Sequence, residues 1–255
     1  MLCTLTSGSS GNCSLLSFDG TNILIDCGIS GKRLGEHLAE LGLSGDDIDA
    51  ILITHEHIDH ISGAGVVSRR FDIPVYATCQ THMAMNLGKI KDENIRIIEP
   101  DRPFEIGGVG INAFCIPHDA AAPVGYRFYC DSKKLSVATD IGMMTDELLC
   151  SLSGSETIIL EANHDIEMLK NGPYPERLKA RILSTSGHMS NGLCADTALL
   201  LALRGAKNIM LAHLSEQNNT LQLAHDAVAG RLSAGGAEAG DVRLKVASRY
   251  EVTAF

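Results

Sequence analysis

Tryptophan is absent and the other aromatics are sparse, with Tyr 5 and Phe 6 among 255 residues. That scarcity argues against an extended platform of rings on which successive bases stack. Basic residues are outnumbered, Lys+Arg 21 against Asp+Glu 31, for a formal charge of −10. A broad cationic face is excluded, but an anionic substrate is not, because bound divalent cations reverse the local field whatever the total charge. No apolar run approaches the roughly 18 residues that a bilayer crossing needs. The N-terminal MLCTLTSGSSGN also lacks the basic head and apolar stretch of a leader. The expectation is no membrane partner and a cytoplasmic address. CxxC pairs are missing too. Cys3, Cys13, Cys27, Cys79, Cys115, Cys130, Cys150 and Cys194 are scattered, and are read as reduced, mostly buried thiols rather than disulfides or metal ligands.

What is present is an ordinary folded composition, 45% hydrophobic and 20% charged. The length suits one α/β domain or two tightly joined half-domains, and a single domain over 1–255 is expected. LCTLTS, CSLLSF and NILIDC read as a strand meander broken by Gly/Ser/Asn and Asp-Gly turns. Ser30 then caps a helix whose Leu34, Leu38 and Leu41 share one face. Further strands are expected at AILIT, PVYAT, IRIIE, GVGINAFCI, GYRFYC, KLSVAT, TIILEA, NIMLAH and VRLKVA. Helices are expected over 62–71, 81–87, 146–152, 175–183, 193–203 and 221–232, and a small-residue loop over 233–240. Strand-rich stretches alternate with single helices, which predicts two sheets face to face with helices on their outer faces.

ITHEHIDH (53–60) directly follows a buried-strand pattern and holds three histidines and two acids. The histidines are two and then three apart, not at the four-residue spacing of a helical zinc motif, so a loop turning over a strand end is expected. Other strand ends release further ligand types: His118 after INAFCIP, Asp140 after LSVAT and His213 after NIMLA. The expected assignment is His55, His57 and His118 on one divalent ion, Asp59, His60 and His213 on a second, with Asp140 bridging. Imidazole and carboxylate together suit Mn²⁺, Zn²⁺ or Fe²⁺ without deciding among them. Two such ions, about 3.5 to 4 Å apart, hold a hydroxide as nucleophile and brace the oxygens of a transferring phosphoryl group. Asp26, ending ILID, is expected to fix a ligand imidazole through its other ring nitrogen. Glu56 is expected to be structural or exposed.

At these residues the chain resembles the metallo-β-lactamase superfamily, whose His-x-His-x-Asp-His loop appears as HEHIDH. The resemblance implies an αββα sandwich of two mixed sheets. SGSSGNCS (7–14), PHDAAAPVGYRF (117–128), ATDIG (138–142), LEANHD (160–165), SGHMSN (186–191) and AHLSEQNN (212–219) are similar to the YycJ/WalJ-type, VicX-like branch. That branch implies a cytoplasmic, metal-dependent nuclease degrading DNA from the 5′ end. Resemblance to the tRNA 3′-processing nucleases and a cyclic phosphodiesterase places an acid–histidine pair on Glu161 and His188. Such a pair has a chemical use here, since the alkoxide leaving a phosphodiester needs a proton that a carboxylate-oriented histidine supplies near neutral pH. Phosphate binding and a structural role are the alternatives for His188. His164 is open between substrate contact, structural histidine and additional ligand. Ser10 and Asn12 in SGSSGN either receive phosphate oxygens or form a hairpin turn. Ser190 and Asn191 either touch substrate or cap the following helix. Arg127 is expected in an ion pair at the core edge, with contact to substrate as the alternative.

The pattern also departs from its relatives. Only 21 residues separate His118 from Asp140 and 72 separate Asp140 from His213. There is room for neither a tRNA-grasping arm nor an inserted cap domain. With few aromatics, DNA has to be gripped near the metal centre, or an oligomer has to supply more surface. The competing readings are a small-molecule ester, thioester or lactone hydrolase, and a metal-stabilised regulatory or binding protein without activity.

Overall fold

The computed structural model describes residues 1–236 and 241–255. In chain order the elements are β1 (Leu2–Thr6), β2 (Cys13–Phe18), β3 (Thr21–Ile25), α1 (Gly31–Glu40), β4 (Ala50–Leu52), α2 (Ile58–Ile61) and α3 (Ala64–Phe71). Next are β5 (Val75–Thr78), α4 (Cys79–Ala84), β6 (Ile95–Ile98), β7 (Phe104–Ile106), β8 (Val109–Cys115), β9 (Val124–Cys130) and β10 (Lys133–Ala138). The chain continues through α5 (Asp146–Leu152), β11 (Thr157–Glu161), α6 (Ile166–Asn171), α7 (Glu176–Ile182), α8 (Asn191–Ala202), β12 (Asn208–Ala212), α9 (Leu221–Ala234), β13 (Arg243–Val246) and β14 (Thr253–Ala254).

The strands form two seven-stranded sheets, ordered β14-β1-β2-β3-β4-β5-β6 and β13-β12-β11-β10-β9-β8-β7. Both are mixed, as expected. In the first, β1, β2 and β3 run antiparallel while β3 to β6 are parallel. In the second, β9 and β10 are antiparallel while β10 to β13 are parallel. Parallel strands return by helical crossovers, so residues just past their C-terminal ends come out side by side. The HEHIDH segment after β4, Asp140 after β10 and His213 after β12 occupy such positions, while His118 follows β8, which pairs antiparallel with β7.

Two compact units carry these elements. One comprises Met1–Ala113, Ala120–Val124 and Ser248–Phe255, the other Phe114–Asp119 and Gly125–Ala247. In the first, Leu34 and Leu38 of α1 pack with Leu5, Leu15, Leu24, Ile51 and Val75 from the strands. In the second, Leu148 and Leu152 of α5, Ala198 of α8 and Val228 of α9 pack with Ile158, Leu160 and Leu211. Burying aliphatic side chains of this size contributes about 1.5 to 3 kcal/mol each. No helix among the described residues is long and apolar enough to cross a membrane. All eight cysteines are free thiols, with Cys79, Cys115 and Cys150 exposed and the others buried.

Local chemistry moved several boundaries. The helix expected over 62–71 starts two residues later, as α3, with Gly63 at its N-cap and so close to the chain that a Cβ there would lie 1.8 Å from the Ile29 carbonyl oxygen. The end of HEHIDH is one helical turn rather than open loop, with His57 at its N-cap and the His60 N–H donating to the His57 carbonyl at 2.9 Å. The helix expected over 81–87 begins at Cys79, since Thr78 caps it by accepting from the Thr81 N–H. α6, capped by Asp165, and the short strands β7 and β14 carried too little periodicity to be read beforehand. Part of the loop expected over 233–240 is helical, as α9 runs to Ala234, and 237–240 lie outside the described residues.

Gly28 makes an equally tight approach, where a Cβ would lie 1.7 Å from the Asp59 carbonyl oxygen. A Gly28→Ala substitution must push the turn bearing Asp59 and His60 outward. The expected outcome is a loss of at least about 2 kcal/mol in a urea unfolding titration, a cost typical of overpacking. Gly35→Ala, where nothing lies within 4 Å, should leave stability unchanged or slightly higher.

Candidate metal centre

In the first unit the donor groups hang from Asp26. It follows β3, adopts a left-handed backbone (φ 58) and is buried. Its Oδ1 accepts from the Thr54 N–H at 2.8 Å and its Oδ2 from the Thr54 hydroxyl at 2.9 Å. His60 Nδ1 lies 2.7 Å from the same Oδ2. A carboxylate accepts only, so the Thr54 proton is committed to Asp26 and His60 carries its proton on Nδ1. The Thr54 oxygen is then left to accept from His55 Nδ1, 3.0 Å away. Both imidazoles are thereby held in the tautomer that presents a basic Nε2. Asn12 adds a second constraint: its amide nitrogen donates to Asp59 Oδ2 at 3.2 Å and reaches His60 Nε2 at 3.1 Å. An N–H donor against those two atoms marks both as acceptors, the character a cation ligand must have. The His57 ring packs edge-on to His55 at 4.5 Å between centroids.

The second unit is organised by Glu161, the last residue of β11 and fully buried. Oε1 faces His188 Nδ1 at 2.8 Å and His213 Nδ1 at 2.9 Å, while Oε2 accepts the backbone N–H groups of Ile141 at 2.6 Å and Met189 at 3.0 Å. Burial by itself raises this carboxyl's pKa. The His188 charge and the hydrogen bonds from His188 and His213 outweigh burial and bring it down to about 2. Register explains the meeting: Glu161 lies opposite Ala212, one residue before His213, and Asp140 follows two residues after Ala138, which lies opposite Leu160. Asp140 and His213 both take left-handed backbone conformations, φ 61 and 57. Such a conformation is tolerable for Asp but uncommon for a bulkier side chain. His118 Nδ1 points at the Gly187 carbonyl at 3.0 Å, so its Nε2 is again the basic nitrogen, 3.7 Å from Asp140 Oδ1. Burial lowers the His118 pKa, which keeps the ring neutral and able to ligate.

Of the other candidates, Ser190 is the N-cap of α8, accepting from the Leu193 N–H at 3.3 Å. Asn191 is buried in a reciprocal amide pair with Asn219, at 2.9 and 2.8 Å. Ser10 sits on an exposed turn. His164 is 1% exposed, and neither ring nitrogen has a hydrogen-bond partner among the described residues. It joins none of the donor groups able to hold an ion among those residues. Glu56 is structural in its contacts, with Oε1 accepting the Ala121 N–H at 2.8 Å. Arg127 departs from expectation: it pairs with no carboxylate among the described residues and donates instead to the Tyr129 hydroxyl at 3.3 Å. Thr54 was overlooked in the sequence. Its only signal is a hydroxyl residue between an apolar strand and the first histidine.

The donor set fits a divalent cation. Asp140, Glu161, His188 and His213 each offer a ligand atom within 4.8 Å of one another. Both Glu161 oxygens are already engaged, which leaves Asp140 and the Nε2 atoms of His188 and His213 as the candidate ligand atoms of this group. Neutral imidazoles with their far nitrogen tied to an oxygen acceptor are the common form of metal-bound histidine.

The sequence profile described as the beta-lactamase superfamily domain matches residues 21–214. The chain is 40% identical over 233 residues to exodeoxyribonuclease WalJ of Streptococcus pneumoniae serotype 2, covering 90% of this chain and 87% of that protein. It is 38% identical over 242 residues to exodeoxyribonuclease YycJ of Bacillus anthracis, covering 93% and 90%. Among solved structures, the metallo-beta-lactamase fold protein YhfI of Bacillus subtilis superposes with a TM-score of 0.71 at 15% identity, covering 99% of this chain and 98% of that one.

Two outcomes are expected from these contacts. Asp26→Asn removes the anchor of His60 and Thr54, and should weaken Mn²⁺ binding by about 10- to 100-fold in a calorimetric titration. Burial holds the His164 pKa at about 4, below the ordinary 6.5. Stability from this neutral ring is complete above pH 6.5 and is lost as pH falls toward 4, by about 3 kcal/mol. Unfolding titrations across that window should therefore fall less steeply for His164→Gln than for the unsubstituted chain; parallel slopes would refute the assignment.

Proposed function

Because the chain belongs to the beta-lactamase superfamily, whose profile spans residues 21–214, we propose that it is a metal-dependent exodeoxyribonuclease working from the 5′ end in the cytoplasm. It is a hydrolase of phosphodiester bonds. Relatives that share 38% and 40% of its residues, over nearly their whole length, carry the exodeoxyribonuclease name. The observation that carries the mechanism is the single oxygen Glu161 Oε1, shared between His188 and His213.

In this reading the donor sets of the two units serve one dinuclear centre of a single catalytic domain, without grasping arm or cap. His55, His57 and His118 would hold one ion and Asp59, His60 and His213 the other, with Asp140 serving both. Two divalent ions, Mn²⁺ or Zn²⁺ foremost and Fe²⁺ as the further candidate, supply when bound an acidified water as nucleophile and positive charge against the phosphoryl oxygens. Asp26 and Thr54 keep His55 and His60 in the ligating tautomer. Glu161 does the same for His213. It also orients His188 through Nδ1, so that in the imidazolium form Nε2 hands a proton to the departing 3′ or 5′ oxygen and the ring is left neutral. A phosphodiester needs that proton because its leaving alkoxide is a strong base. DNA is gripped close to the metal centre, and a second copy of the chain is a candidate source of added surface.

His188→Ala is expected to keep its metal, measured by elemental analysis, and to lose about a hundredfold or more in turnover on DNA. The loss should be much smaller on bis(p-nitrophenyl) phosphate, whose leaving group needs no proton. Equal losses on both substrates would remove the proton-donor role. A matched assay on end-labelled single- and double-stranded DNA and RNA, with an Asp59→Ala control, reads polarity and sugar preference. Cleavage surviving in that control would place the activity elsewhere.

A further inference from the structure

A second polar cluster lies at the other end of the β9–β10 hairpin. Arg127 and Tyr129 alternate on β9, and their cross-strand neighbours on β10 are Ser136 and Lys134. Side chains across a ladder share a face, so these four form one patch. The same face of β9 meets the helical side of its unit, since Gly125 abuts the Phe114 ring and the Arg127 guanidinium lies 5.9 Å from that ring's centre. Lys134 Nζ donates to the Ser153 carbonyl, and Arg204 donates to the Ser153 hydroxyl at 2.9 Å. Three cations thus converge on two strand ends and one serine.

No carboxylate compensates them. None of Arg127, Lys134 and Arg204 forms an ion pair among the described residues, in a chain of net charge −10 with 31 acidic side chains. The Arg127 Nε is buried and has no hydrogen-bond partner among those residues. An orphaned guanidinium nitrogen costs free energy unless an acceptor reaches it. Lys134 is half-buried, and burial followed by the nearby Arg127 charge lowers its pKa to about 8. Like charges held together out of full solvation are what an anion relieves. Tyr129, 43% exposed beside them, offers a ring face.

We propose that Arg127, Lys134 and Arg204 form a phosphate site that holds the backbone of a nucleic-acid strand away from the cleaved bond, with Tyr129 stacking against a base. The anion chemistry stands on the contacts just given; the choice of a nucleic acid as its bearer rests on the nuclease reading. Lys134 is the second residue of β10 and Asp140 lies just beyond its end, about 20 Å away at the usual rise of a strand. Arg presents a forked donor pair to a phosphate and Lys a point charge, so the site combines orientation with attraction. It would lengthen the grip on a substrate without requiring a basic surface.

The test compares the Mn²⁺-loaded chain with Arg127→Gln/Lys134→Gln and the conservative Arg127→Lys/Lys134→Arg. On a single-stranded 30-mer the Gln pair is expected to raise KM about tenfold with kcat kept, and to flatten the dependence of log(kcat/KM) on log salt by about 1.4, two phosphate contacts' worth. The conservative pair should restore KM, and bis(p-nitrophenyl) phosphate should be hydrolysed alike by all three. An unchanged KM on the 30-mer overturns the strand site, and so does an equal loss on the small diester, which would mean damage to the metal centre. Thermal shift by inorganic phosphate, present in the unsubstituted chain and lost in the Gln pair, supports the anion site itself. If that shift appears while KM is unaffected, the site takes free phosphate and the strand proposal is overturned. If the unsubstituted chain cleaves neither DNA nor diester, the nuclease reading fails, and the phosphate shift alone then decides the anion site.

Discussion

Glu161 has no access to water, so every lone pair that solvent would satisfy has to be satisfied by the protein. Two backbone N–H groups and two imidazoles do so. A buried carboxylate with that many donors is stable as the anion; one with fewer would take up a proton or open its surroundings to water. The consequence reaches outward from the carboxylate. Ile141 and Met189 must bring their N–H groups inward, which draws the turn after Asp140 and the segment around His188 onto the end of β11. His213 and His188 lose their choice of tautomer. The chemistry proposed for both rings follows from one desolvated acid.

Asp26 is the same solution in the other unit. It too follows a parallel strand, is buried, and spends its oxygens on a backbone N–H, a hydroxyl and an imidazole. Its left-handed backbone, like those of Asp140 and His213, turns the chain sharply at a strand end. Such conformations cost about 1 kcal/mol or more for a residue with a side chain. They persist because the ladder before them and the hydrogen bonds after them leave no other path. Strain of this kind at three of the strand-end donors is where preorganisation of the site is stored.

The distribution of charge separates two tasks. Asp26, Asp59, Asp140 and Glu161 stand beside the histidines of the candidate donor groups, so part of the excess of Asp and Glu lies there. Away from them Arg127, Lys134 and Arg204 lack acidic partners among the described residues, and the negative total conceals a local positive field. Net charge excluded a basic face, but it carried no information about three cations brought together by a hairpin and a helix end. The same limit applies to Arg127, whose sequence neighbours suggested an ion pair that its position on the sheet does not supply.

HEHIDH was legible because ligand residues so dense after an apolar run have few other uses, and His118, Asp140 and His213 because each ends a strand. The α/β class and the two sheets were legible from the alternation of strand and helix patterns, while their mixed character came from the family resemblance. Thr54, and the turn of Asn12 toward Asp59 and His60 rather than toward a phosphate, were not, since hydroxyls and amides occur in every loop. The sequence by itself determined which residue types stand at strand ends, for that is set by local apolar runs and the polar residues that stop them. Tertiary structure alone decided which nitrogen of each histidine is free, which carboxylate serves two rings and where unpaired cations meet. Those outcomes depend on groups 27 to 52 residues apart, whose distance is set by strand register and not by any neighbouring residue.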